Sequence, residues 1–264
     1  MAVFSTGKMS NPAIKKLGSL NQSVFGEQAN TATYGGVAGK TVYFMLLFVA
    51  GMGAYFYIDN YYASSLSGDS KVMMYLFGAM ILAFISGLIA GFAPKTCPVT
   101  GSIYAASEGF VLTWLSLSYG AAYKGIIVEA ISLTVLTILV MAALYASGLV
   151  RVTSRFRTVL YTMLMVSIIG GLAFFLFSIF GSNTALYRSM VAMNNGPIGI
   201  VFAVIGVAIA AMFLLSDFDT IQQTVERGLD KKYEWYASYG LVLGVIYLYL
   251  KILRLLAIIA NNRK

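Results

Sequence analysis

Ionisable residues are scarce in this sequence, and a handful of them interrupt long apolar runs. Lys251 and Arg254 stand in "YLYLKILRLL", Glu108 in "AASEGFVL", Glu129 in "IIVEAISL", and Asp217 and Asp219 in "LLSDFDTIQQ". Placing Asp, Lys or Arg at the centre of a membrane helix costs about 2.5–3.5 kcal/mol, so such a residue marks a pair, an ion path or a proton site. A carboxylate there can take a proton or a cation, whereas a carboxylate facing an ammonium holds both groups charged. What is missing narrows the chemistry further. There is no histidine, and Cys97 is the single cysteine. His-dependent metal sites, Ser–His hydrolysis and internal disulfides are therefore excluded. The GxGD motif of aspartyl intramembrane proteases is absent too, and neither an enzyme nor a resident metal or cofactor is expected.

Depth along the runs suggests which charges meet. Lys251 stands about 12 residues into the last run, roughly 18 Å at 1.5 Å per residue, and about 8 residues from its far end. Its stem is too short to lift the ammonium to water, while Arg254 is near enough to the end to do so. Glu108 lies about 9 residues into the third run, about 14 Å deep. Depth alone thus predicts two pairs, Glu108 with Lys251 and Glu129 with Arg254. Asp217 ends the sixth run and meets Lys251 only if the following hairpin turns near Glu234. Asp219 points to another side of the helix and is expected to be solvated at the membrane edge.

The elements carrying these residues are legible from composition. The 264-residue chain is 59% apolar or aromatic and 11% charged, with a mean hydropathy of +0.81; soluble domains carry roughly 25% charged residues. Seven runs reach the ~20 residues a spanning helix needs, at about 40–58, 72–93, 99–120, 126–148, 158–180, 198–216 and 239–259. The expected fold is an all-α polytopic membrane protein, with a polar tail over 1–39 and a seven-helix domain over 40–264. The tail lacks the apolar region of a cleavable signal. Eleven Lys and Arg residues fall in the tail and even-numbered loops against five on the other side. That bias places the N-terminus in the cytosol and the C-terminus opposite. The net charge of +8 then reads as topology and contact with anionic lipid, with no nucleic-acid partner. Gly87 and Gly91, and Gly240 and Gly244, have the GxxxG spacing of close helix packing. "YFYIDNYY" and "YEWYASY" read as interfacial aromatic belts.

Four stretches carry a resemblance: "SNPAIKKL" in the tail, "CPVTGSIYAASEGF" across the second turn, "SDFDTIQQ", and "YEWYASYGLVLGVIYLYLKILRLL". In these the chain resembles the transmembrane Bax-inhibitor-motif family, in its bacterial Bax inhibitor-1-like branch. The resemblance implies seven helices with one surrounded by the others, and a pH-sensitive calcium leak. The expectation of a bacterial plasma (inner) membrane comes instead from the lack of a targeting presequence. In the family, an acid near the end of helix 6 pairs with an acid in helix 7 to sense pH, and an arginine latch in helix 2 contacts the helix 6 acid. The first acid carries over to Asp217. The second falls on Lys251, and helix 2 has no arginine. Lys251 is thus expected to lock the site, with Asp217 as its counter-charge by resemblance or Glu108 by depth.

Other functions compete with a leak. A non-conducting interaction protein, such as a modulator or substrate of a membrane-anchored ATP-dependent protease, would suit the polar tail. A retinal protein would carry Asp four residues before the lysine, where Tyr247 stands, and more tryptophans than Trp114 and Trp235. A substrate transporter would break helices at the midplane, whereas Pro94, Pro98 and Pro197 sit at helix boundaries and Pro12 in the tail.

Overall fold

A computed structural model describes residues 31–63, 68–150, 152–180 and 184–263. The chain forms α1 (Tyr34–Tyr62), α2 (Gly68–Phe92), a 3₁₀ turn (Pro94–Thr96), α3 (Cys97–Ala122), α4 (Ile126–Ala146), α5 (Ser154–Phe180), α6 (Ala185–Asn195), α7 (Pro197–Glu226) and α8 (Tyr233–Asn262). Each of the seven apolar runs falls within one long helix, and the short α6 is an addition that the runs did not announce. Five helices, α1, α2, α4, α7 and α8, are long and apolar enough to cross a membrane. α3 is not among them: Ser, Thr, Gly and Tyr dilute its apolar character.

Helix starts follow local chemistry more than hydropathy. α1 begins at Tyr34, six residues before its apolar run, because the Thr33 hydroxyl accepts the Gly36 N–H at 3.0 Å and caps the first turn. Pro98 and Pro197 occupy the first turns of α3 and α7, where the missing N–H costs nothing. The turn from α7 to α8 passes through Gly228 at φ 61°, a left-handed conformation that favours glycine. Most of the tail, including "SNPAIKKL", lies outside the described residues.

α8 is the centre of the bundle. It packs against α1, α2, α3, α4, α6 and α7, while α5 packs on α7. Two apolar clusters share it. Phe44, Ala83, Tyr104, Tyr239, Val242 and Ile246 join α1, α2 and α3 to α8, and Ile126, Ala210, Leu214, Leu248 and Leu253 join α4 and α7 to it. On the outer side of the first cluster α1 and α3 touch almost backbone to backbone. A methyl on Gly51 would run into the Ala106 carbonyl, and one on Gly109 into that of Phe48.

Candidate functional site

Asp217 faces α8. Its Oδ2 is buried and takes a hydrogen bond from none of the described residues. The carboxylate lies in a groove made by two glycines: a methyl on Gly240 would come within 3.4 Å of Oδ1, and one on Gly244 would collide with Oδ2. The Gly240–Gly244 spacing is therefore more than a means of bringing helices together. It makes room for a carboxylate. Tyr236 of α8 is an electrostatic neighbour of Asp217 and of Tyr161 on α5. The acid thus lies against two glycines with the Tyr236 phenol nearby, and no cation is against it among the described residues.

Lys251 forms neither of its expected pairs. The same α7–α8 register that sets Asp217 against Gly240 and Gly244 sets the Lys251 stem against Gly206, 3.4 Å from where a methyl would sit. Gly206 precedes Asp217 by eleven residues, about 16 Å along the helix. The hairpin turns over 227–232, too early for the two to meet. Glu108 is also displaced. Tyr104 and Tyr239 stack edge to face with centroids 5.4 Å apart, and the Ser116 and Tyr249 hydroxyls lie 2.9 Å apart. Those two contacts put Glu108 level with about residue 243 of α8, roughly 12 Å from Lys251. The depth estimate failed because the two apolar runs start at different heights: Tyr239 opens one and Tyr104 lies inside the other. Among the described residues Lys251 has no ion pair or hydrogen bond, and its ammonium lies 4.9 Å from the centroid of the Tyr247 ring. Glu129, in the first turn of α4, and Arg254 are both exposed.

Two ion pairs that the apolar pattern did not reveal anchor the edge near the α7–α8 turn. Glu234 is fully buried; its carboxylate pairs with Lys40 and accepts the Thr33 N–H at 2.8 Å. Gly36 leaves space for it, since a methyl there would overlap the carboxylate. Asp219 is not simply solvated. It pairs with Arg157 of α5 and accepts a hydrogen bond from Gln223 at 2.8 Å, with the Tyr145 hydroxyl 3.4 Å away. Neither pair could be found by reading runs, because Lys40, Arg157, Asp219 and Glu234 all lie at run edges, where charge is ordinary.

Several apolar helices of spanning length around a central one define a multi-pass integral membrane protein. More narrowly, the chain belongs to the Bax inhibitor 1 like family, whose model matches residues 11–261. A comparison with curated proteins returned no match.

Proposed function

We propose that this protein is a proton-sensitive cation leak of the Bax inhibitor-1 type, with seven spans, the N-terminus in the cytosol of a bacterial inner membrane, and Asp217 as the group that takes the proton or the cation. The observation that carries the reading is the buried Asp217 oxygen with no hydrogen-bond partner among the described residues. A buried charge is costly until something neutralises it, and a proton and a calcium ion are the two small species that would compete for one carboxylate. Lys251 stands about 16 Å along the same α7–α8 seam and opposes a cation there by repulsion across a low dielectric. It acts as a barrier at a distance rather than as a salt-bridge partner of Asp217.

The test is calcium entry into dye-loaded liposomes containing the full chain, followed across the neutral pH range. Wild type is expected to pass calcium at a pH-dependent rate. Asp217→Asn removes the pH dependence while leaving the thermal unfolding profile intact, and Lys251→Met raises the rate. A silent wild type, or an Asp217→Asn variant with an unchanged pH profile, overturns the reading.

A further inference from the structure

Among the described residues no acid balances the charge of Lys251. The sequence holds ten acids. Asp219, Asp230 and Glu234 are taken by Arg157, Lys232 and Lys40. Glu226 accepts a hydrogen bond from Gln222 at 2.6 Å near the end of α7. Asp217 and Glu108 lie at other levels, as their registers show. Asp59 and Asp69 stand in the last turn of α1 and the first turn of α2, and Glu129 makes no ion pair with Lys251. Glu27 belongs to the tail. Most telling, no Asp or Glu occurs anywhere from residue 130 to 216, so α5, α6 and α7 up to Ser216 can offer Lys251 nothing.

The counter-charge must then come from outside, and depth selects its source. Lys251 follows Tyr239 by twelve residues and precedes Asn261 by ten, which puts it near the middle of the bilayer. Lipid phosphates lie beyond the ~15 Å half-thickness of the hydrocarbon core, out of reach of a lysine stem of about 6 Å. A second copy of this chain brings the same acids at the same heights, and none of those among the described residues stands free at this one. What remains is a carboxylate carried at mid-bilayer depth by another protein's helix, since charges at this depth pair with one another.

We propose that Lys251 is the docking point for a partner transmembrane helix bearing an Asp or Glu near its centre. The α7–α8 seam suits such a partner. Gly206 leaves the space that the lysine stem occupies where it crosses α7. Phe202 and Ile205 beside it are 63% and 48% exposed, and a partner helix would cover them. Tyr247 holds the ammonium over its ring, so the cation is already placed before a partner arrives.

The probe is a synthetic single-span Leu/Ala peptide of about 23 residues with one central Glu. Its association with the full chain is followed by resonance energy transfer in phosphatidylcholine vesicles. The central-Glu peptide is expected to associate about tenfold more tightly than its Gln twin and than a peptide with Glu moved two turns toward the interface. Lys251→Arg keeps that preference and Lys251→Met abolishes it. Equal association of the Glu and Gln peptides with wild type overturns the proposal, without any variant having to fold. A preference that survives in Lys251→Met overturns it as well. Loss of the preference when phosphatidylglycerol enters the vesicles assigns the cation to a lipid headgroup instead, and that too overturns it.

Discussion

Asp217 and Asp219 stand two residues apart on α7 and meet opposite fates. The first is buried against glycine with no donor from a described residue; the second is held by Arg157, Gln223 and Tyr145. Their partners separate two kinds of charge removal. Glu234 is 0% exposed and Lys40 15%, so Glu234→Gln, which strands the lysine, should destabilise the protein by about 3 kcal/mol. Arg157 is 29% exposed and can rehydrate, so Asp219→Asn, which strands it, should cost less than about 1 kcal/mol. Unfolding in mixed micelles at graded denaturant checks both. At the α7–α8 turn, Lys232 holds Asp230 below the usual carboxylate range through a side-chain contact of 2.8 Å and a backbone N–H at 3.0 Å. Reciprocally, Asp230 lifts Lys232. A depressed acid stabilises the turn above its unfolded pKa of about 3.9 and loses that contribution as pH falls through its folded value. The lifted lysine contributes below its own unfolded value and loses it at high pH. Amide exchange at Lys232 should therefore, after correction for intrinsic rates, show protection across the neutral range that fades in acid; pH-independent protection would refute the pairing.

At the scale of elements, the seven long helices were readable because a spanning segment needs a continuous apolar run. Their ends were not. α1 and α8 each begin six residues before their runs, at Tyr34 and Tyr233, where Thr33, Lys40 and Glu234 supply polar contacts that hydropathy scores as loop. α6, "ALYRSMVAMNN", is too short and mixed to register. Register was the larger loss. Runs give depth only relative to their own start, so the Glu108–Lys251 pair expected from depth dissolves once the two helices are offset by more than a turn. The Asp217–Lys251 pair comes from resemblance and fails because the hairpin turns over 227–232. The Gly240–Gly244 spacing was visible, yet spacing cannot say that a carboxylate sits opposite. Gly244→Ala tests that relation. The added methyl meets Asp217 Oδ2 in the groove, so the acid or the helix must shift. We expect a lower melting temperature together with an altered pH profile of calcium entry; a variant unchanged in both would show that the groove does not hold the acid.

For the molecule as a whole, centrality divides the helices by how much unfolding must precede their release. α8 is wrapped by six others, while α5 leans on α7. In detergent micelles the amides of α8 should be the last to exchange and those of the first turns of α5 among the first; similar rates in both would contradict a bundle built around α8. The acids near the turn have structural duties, whereas Asp217 and Lys251 both stand in the α7–α8 seam.

The joint between the start of α1 and the last hairpin has a consequence for biosynthesis. Ala32 donates its N–H to Leu229 at 2.7 Å, Thr31 bridges Asp230, and Thr33 and Lys40 wait on Glu234. Every one of these partners is translated roughly 200 residues after α1, at about 5–20 residues per second. For ten seconds or more after its synthesis α1 carries Lys40 before Glu234 exists to pair with it. Quality-control machinery that samples nascent membrane proteins would therefore meet α1 without its partners until α8 has been made.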